Sequence, residues 1–123
     1  MSKHLLVIDD EQDIRDVVQV SLEEFAGWQV ETADSGQEGL RKVKTGKWDA
    51  ILLDVSMPDM DGFSVFEQLQ ANSATQGIPV VLLTAKVLPS DRRRFTEMGV
   101  TGVITKPFNP VTVWNQVAEI LKW

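Results

Sequence analysis

Short runs of uninterrupted apolar residues punctuate the chain at 5–8, 50–53 and 80–83, with a briefer one at 103–104. Each is a buried strand by length and composition. Residues 29–33 alternate apolar and polar and form a weaker strand candidate. Between the runs the period changes. Ile14, Val17, Val18, Leu22 and Phe25 recur at helical spacing, and so do Phe63, Phe66 and Leu69. Ser35 with Glu38 three residues on is a capping-box signature, and Gly46 is a stop, so a helix lies between them. Ser90 or Asp91 caps a helix holding Phe95 and Met98 and closed by Gly99. Asn109 followed by Pro110 starts a last helix that runs to about Leu121.

The pattern is five strand–helix units in strict alternation. Continuous apolar strands separated by helices imply a parallel sheet covered on both faces. Right-handed crossovers leave few arrangements, of which the flavodoxin-like, doubly wound order 2-1-3-4-5 leads for an α/β chain of five units. The length of 123 residues suits one domain over 1–123, with no room for a separate effector domain. No repeat or low-complexity linker divides it.

Composition narrows the function classes. There is no Cys and a single His, His4, which excludes disulfides, thiolate sites and a multi-histidine metal centre. Twelve basic against 18 acidic residues give net charge −6. Such a chain is a poor binder of nucleic acid, which calls for a basic surface. The apolar run at 5–8 is too short for a signal peptide core or a membrane span, so the expected location is cytoplasmic.

In an open parallel sheet, ligands bind beyond the carboxyl ends of the strands, at the switch point of strand order. The polar residues at those ends are Asp9 and Asp10, Asp54, Thr84, and Lys106. Carboxylates about 4 Å apart repel by roughly 4 kcal/mol per pair at an effective dielectric near 20. Either one takes up a proton or a cation sits among them. With only oxygen ligands on offer the cation is hard: Mg2+ first, Mn2+ second. A metal, an ammonium and a hydroxyl around one carboxylate form a phosphoryl clamp.

Four segments in this order make the chain resemble the receiver domain of bacterial response regulators, as in the single-domain chemotaxis regulators of two-component systems. They are Val7-Ile8-Asp9-Asp10-Glu11, the stretch from Asp54 through Ser56-Met57-Pro58 to Asp61-Gly62, Leu83-Thr84-Ala85, and Lys106-Pro107-Phe108. The resemblance covers essentially the whole chain. It implies that Asp54 accepts a phosphoryl group from the phosphohistidine of a histidine kinase or phosphotransfer protein. It implies Asp10 as direct metal ligand, Asp9 acting mainly through a metal-bound water, and the backbone carbonyl of Ser56 as a further ligand. Lys106 would pair with one phosphoryl oxygen and Thr84 with another. The Lys106–Pro107 bond would be cis. Such a protein is not an enzyme beyond its own phosphorylation and dephosphorylation. The acyl phosphate would re-bias the surface of the fourth helix, fifth strand and fifth helix toward a downstream protein target, or toward a homodimer through the same face.

One position departs from the family. A Tyr or Phe often stands three residues before the Lys; here it is Val103, which has no ring to swing. Thr84 is therefore expected to move without an aromatic switch. Ser56 and Lys86 flank the site and would tune dephosphorylation. Glu11 reads as a helix-start charge and His4 as a strand-edge residue. Arg92, Arg93 and Arg94 read as a solvated helix face, with a partner-binding patch as the second reading. Trp28 and Trp48 read as packing anchors. Trp114 and Trp123 divide evenly between packing and an interface.

The same chemistry leaves an alternative, a small phosphatase of the haloacid dehalogenase type. That class wants a second Asp two residues after the nucleophile, where Ser56 stands, and a substrate-capping domain. A flavin carrier on this fold would need a phosphate-binding loop after the first strand, where Asp9, Asp10 and Glu11 repel phosphate.

Overall fold

Apolar runs with no polar break are buried on both faces, and this sets the architecture. The computed structural model describes residues 3–85 and 88–123. The strands are β1 (His4–Ile8), β2 (Gln29–Ala33), β3 (Ala50–Asp54), β4 (Val80–Thr84) and β5 (Gly102–Thr105). They form one parallel sheet in the order β2-β1-β3-β4-β5. Every residue of β3 and β4 is buried, whereas the edge strands β2 and β5 alternate or stay half-exposed. The expected order holds.

The helices are α1 (Gln12–Ala26), α2 (Gly36–Val43), α3 (Gly62–Ala71), α4 (Pro89–Met98) and α5 (Val113–Leu121). Alternate strand residues point to opposite faces. Leu6, Ile8, Ile51, Leu53, Val80 and Leu82 meet Val43 of α2, Val65, Phe66 and Leu69 of α3, and Phe95 of α4. Leu5, Val7, Leu52, Val81 and Leu83 meet Val18 and Leu22 of α1 and Val113 and Val117 of α5. The sheet thus separates two cores, with three helices on one side and two on the other.

Local signals explain most boundaries. Ser35 Oγ accepts from Glu38 N at 3.1 Å, while Glu38 Oε1 takes Asp34 N at 2.8 Å. Asp59, from the loop after β3, adds its carboxylate to Gly36 N and Gln37 N, each at 3.4 Å. Gly99 closes α4 with φ +85°, a left-handed conformation that favours glycine.

Three boundaries differ from the sequence reading. The second helix ends at Val43 rather than at Gly46, whose bare Cα instead leaves room for the Trp48 ring. The start of α4 lies at Leu88 and Pro89, not at Ser90 or Asp91. Asp91 is the third helical residue, and its carboxylate reaches back to Leu88 N at 3.3 Å. Asn109 does organise a turn, its Oδ1 accepting from Val111 N at 2.8 Å, but α5 begins only at Val113. Phe25, placed on the apolar stripe of the first helix, is 52% exposed in its last turn.

Candidate functional site

Each polar residue singled out at a strand end lies at the carboxyl edge of the sheet. Ile8 pairs with Leu53, so Asp9 and Asp54 follow one another across adjacent strands. Thr84 pairs with Thr105, which places Lys106 beside them, and Lys106 N donates to the Thr84 carbonyl at 2.8 Å. Asp9, Asp54 and Thr84 are all buried; Asp10 is exposed. One oxygen from each of Asp9, Asp10 and Asp54 fits within 4.8 Å of the others. The Lys106–Pro107 bond is cis.

The ammonium of Lys106 lies between two of these carboxylates, donating to Asp54 Oδ1 at 2.9 Å and to Asp9 Oδ2 at 3.0 Å. Burial works against that charge, but the hydrogen bonds and charges of Asp54 and Asp9 outweigh it and hold Lys106 above the ordinary lysine value. Burial pushes Asp54 the other way from an ordinary acid. Together with the Asp9 charge it raises Asp54 from 3.8 to about 6, against the lowering effect of Lys106.

The two oxygens of Asp54 are not equivalent. Oδ1 accepts from Lys106 and, at 3.5 Å, from Ser56 N. Oδ2 is buried with no protein hydrogen-bond partner among the described residues. Asp9 has both oxygens engaged, Oδ2 by Lys106 and Oδ1 by Glu11 N at 2.9 Å. An orphaned buried carboxylate oxygen beside two further carboxylates is the donor set a hard divalent cation requires. The residues present therefore fit Mg2+.

Arg15 escaped the sequence reading, and Gly62 entered it only as part of a matching segment, with no role of its own. Arg15 Nη1 donates to the Asp9 carbonyl at 2.8 Å. A cation in the first turn of a helix opposes the dipole, and that anomaly is the signal that could have found it. Gly62 lies so close to Asp54 that a Cβ there would sit 2.5 Å from the Asp54 carbonyl oxygen and 2.9 Å from Val55 Cα. Only glycine lets the loop after β3 fold back this tightly.

The remaining singled-out residues fall as follows. Val103 is half-buried and packs at the edge of the core formed with α4. Lys86 lies outside the described residues. His4 begins β1, stacks on Trp48 at 4.3 Å and contacts Glu31 Oε2 at 2.8 Å. Trp114 packs against the α1–α5 core, and Trp123, 36% exposed, meets Trp28 edge-on. No helix among the described residues is long and apolar enough to cross a membrane.

Comparison with known proteins agrees with this geometry. A family model for the response regulator receiver domain matches residues 5–118. The chain is 40% identical over 122 residues to the alkaline phosphatase synthesis transcriptional regulatory protein PhoP of Bacillus subtilis, covering 99% of this chain and 50% of that protein. It is 32% identical over 122 residues to the phosphate regulon transcriptional regulatory protein PhoB of Pseudomonas aeruginosa, covering 99% and 53%. The chain thus spans about half the length of the curated relatives it matches. Among solved structures, the chemotaxis response regulator CheY4 of Vibrio cholerae superposes with TM-score 0.90 at 33% identity, covering 98% of this chain and 99% of that one. With its sheet order, its acidic cluster and this match across nearly its whole length, the chain belongs to the response regulator receiver domain family of two-component signalling.

Proposed function

We propose that this chain is a phosphorylation-activated switch whose Asp54 accepts a phosphoryl group from the phosphohistidine of a histidine kinase or phosphotransfer protein. The observation that carries the reading is the asymmetry of Asp54. Lys106 holds Oδ1, while Oδ2 is buried and unpartnered beside two further carboxylates. In the transfer an Asp54 oxygen forms a bond to phosphorus as the donor's P–N bond breaks, and the imidazole leaves.

Bound Mg2+ would neutralise charge on the transferring oxygens. Asp10 and Asp54 would hold it directly, Asp9 through water, and the Ser56 carbonyl would add a ligand. The engagement of both Asp9 oxygens by Glu11 N and Lys106 supports the indirect role. Lys106 is already poised over Asp54 and would keep one phosphoryl oxygen as its partner. The Thr84 hydroxyl, at the end of β4, would be drawn to another, shifting the chain that leads into α4. Val103 gives β5 no ring to follow that movement.

Output would follow through the face of α4, β5 and α5, by docking a protein target or a second copy. The net charge of −6 favours a protein over nucleic acid as the direct partner of these residues. Several curated relatives are named as transcriptional regulators, and that role belongs to those longer proteins. Self-directed phosphoryl chemistry also separates this reading from a phosphatase, which would turn over a small phosphoester many times. The test is intact mass after incubation with acetyl phosphate and Mg2+. One phosphoryl group should add to the wild type and none to Asp54→Asn; an equal adduct on both would overturn Asp54 as acceptor.

A further inference from the structure

We propose that the groove between α3 and α4 is a docking site for an acidic amphipathic segment of a partner protein, received by Arg94 and the apolar wall beside it. This goes beyond the phosphoryl switch, because the groove lies on the other flank of α4 from β5. Arg94 and Met98, one turn apart, face α3, whereas Arg92 and Thr96 line the side toward β5.

The groove measures about 500 Å³, and Phe63, Phe66, Ala71 and Met98 supply its apolar lining. The guanidinium of Arg94 lies 3.6 Å over the Phe63 ring, which itself stacks on Phe95 at 6.0 Å. A guanidinium stacked flat on a ring has its plane fixed and its N–H edge left available to a planar acceptor. Among the described residues no carboxylate comes within 4.0 Å of Arg94, and none of its N–H groups has a hydrogen-bond acceptor. The result is a pre-positioned receptor for a carboxylate next to a pocket for an apolar side chain.

Charge identifies the occupant. The protein carries net −6, yet on α4 the exposed row Arg92, Arg93 and Arg94 outnumbers the two acids of that helix, Asp91 and Glu97. That local excess selects an acidic partner, and two copies meeting symmetrically through this groove would set Arg94 against Arg94. Glu67 on the opposite wall sets the orientation: the partner's carboxylate belongs on the α4 side, and a uniformly acidic tail is repelled. The wall from Phe63 to Ala71 is about 12 Å long at 1.5 Å per residue. It accommodates two turns of helix with apolar residues at i and i+4 and an acid beside them.

The test uses the unphosphorylated protein, so its outcome is independent of Asp54 chemistry. The probe is a capped, fluorescein-labelled helical peptide with leucines at i and i+4 and flanking glutamates, followed by anisotropy. Wild type should bind. Arg94→Glu should weaken binding about thirtyfold. Ala71→Trp, which fills the groove without changing charge, should also abolish it. Arg93→Glu, outside the groove, should cost about threefold or less. Replacing the peptide's glutamates by glutamine, or its leucines by serine, should remove binding. The proposal fails if wild type does not bind, or if Arg93→Glu and Arg94→Glu weaken binding equally. It also fails if sedimentation shows a wild-type dimer that Arg94→Glu dissociates, since the occupant would then be a second copy.

Discussion

Lys106 Nζ lies 2.9 Å from Asp54 Oδ1, although 52 positions separate the two residues in the chain. This pair couples the end of β3 to the loop after β5. It also makes the site's charge balance depend on one ammonium, because Asp9 leans on the same Nζ at 3.0 Å.

Removing that ammonium should therefore destabilise the fold. Lys106→Met leaves Asp9 and Asp54 buried and mutually repelling, which costs about 3 kcal/mol at pH 8. At pH 5 the loss should be smaller, because Asp54 can take up a proton. Urea denaturation at the two pH values measures both numbers. Equal losses would mean that the two carboxylates do not share Lys106 as described.

Stability should also track the titration of Asp54 itself. In the unfolded chain this acid titrates near 3.8, and in the fold near 6. Between those values the folded state holds more protons, so stability falls as pH rises. The favourable contribution is complete below pH 3.8 and lost as pH passes about 6, a change on the order of 2–3 kcal/mol without divalent cation. Asp54→Asn lacks this loss and should gain on wild type across that window. A constant difference between the two proteins from pH 4 to pH 7 would contradict the burial argument.

Divalent cation should reverse part of that penalty. Mg2+ binds a site that only the folded chain assembles, so it should raise the thermal midpoint of wild type, and chelation should restore the starting value. Asp10→Asn should weaken the titrated Mg2+ affinity by at least about tenfold. An unchanged affinity in that variant would place the cation elsewhere.

Gly62 offers a test that involves no charge. Gly62→Ala drives a Cβ to 2.5 Å from the Asp54 carbonyl oxygen, which is backbone and cannot yield cheaply. We expect a loss of about 2 kcal/mol and a reduced rate of phosphorylation. Gly77→Ala meets nothing within 4 Å and should be neutral or slightly stabilising. Similar behaviour of the two variants would argue against the close return of the loop.

The sheet was legible because its information is local. Residues 5–8, 50–53 and 80–83 are apolar without interruption, and such runs have few places to go except strands buried on both faces. The acidic cluster was legible for a related reason: once strand order is known, the residue after each strand has a fixed place. What stayed hidden depends on tertiary contact. Three arginines in a row look alike in sequence, and only the packing of α4 on α3 puts Arg94 over Phe63 and leaves Arg93 in solvent. Leu88 and Pro89 start α4 because Asp91 reaches back to cap Leu88 N, although Ser90 and Asp91 are the better capping types. Phe25 followed the helical period yet is exposed, since a period says nothing about where the opposing core ends.

The most direct test of the central claim is to locate the phosphoryl group. Protein phosphorylated with acetyl phosphate and Mg2+ can be reduced with borohydride, which converts an acyl-phosphate aspartate to homoserine, and then sequenced by tandem mass spectrometry. Homoserine is expected at position 54 alone. Homoserine at Asp9, Asp10, Asp59 or Asp61, or none anywhere in a protein that retains its fold, would contradict that claim.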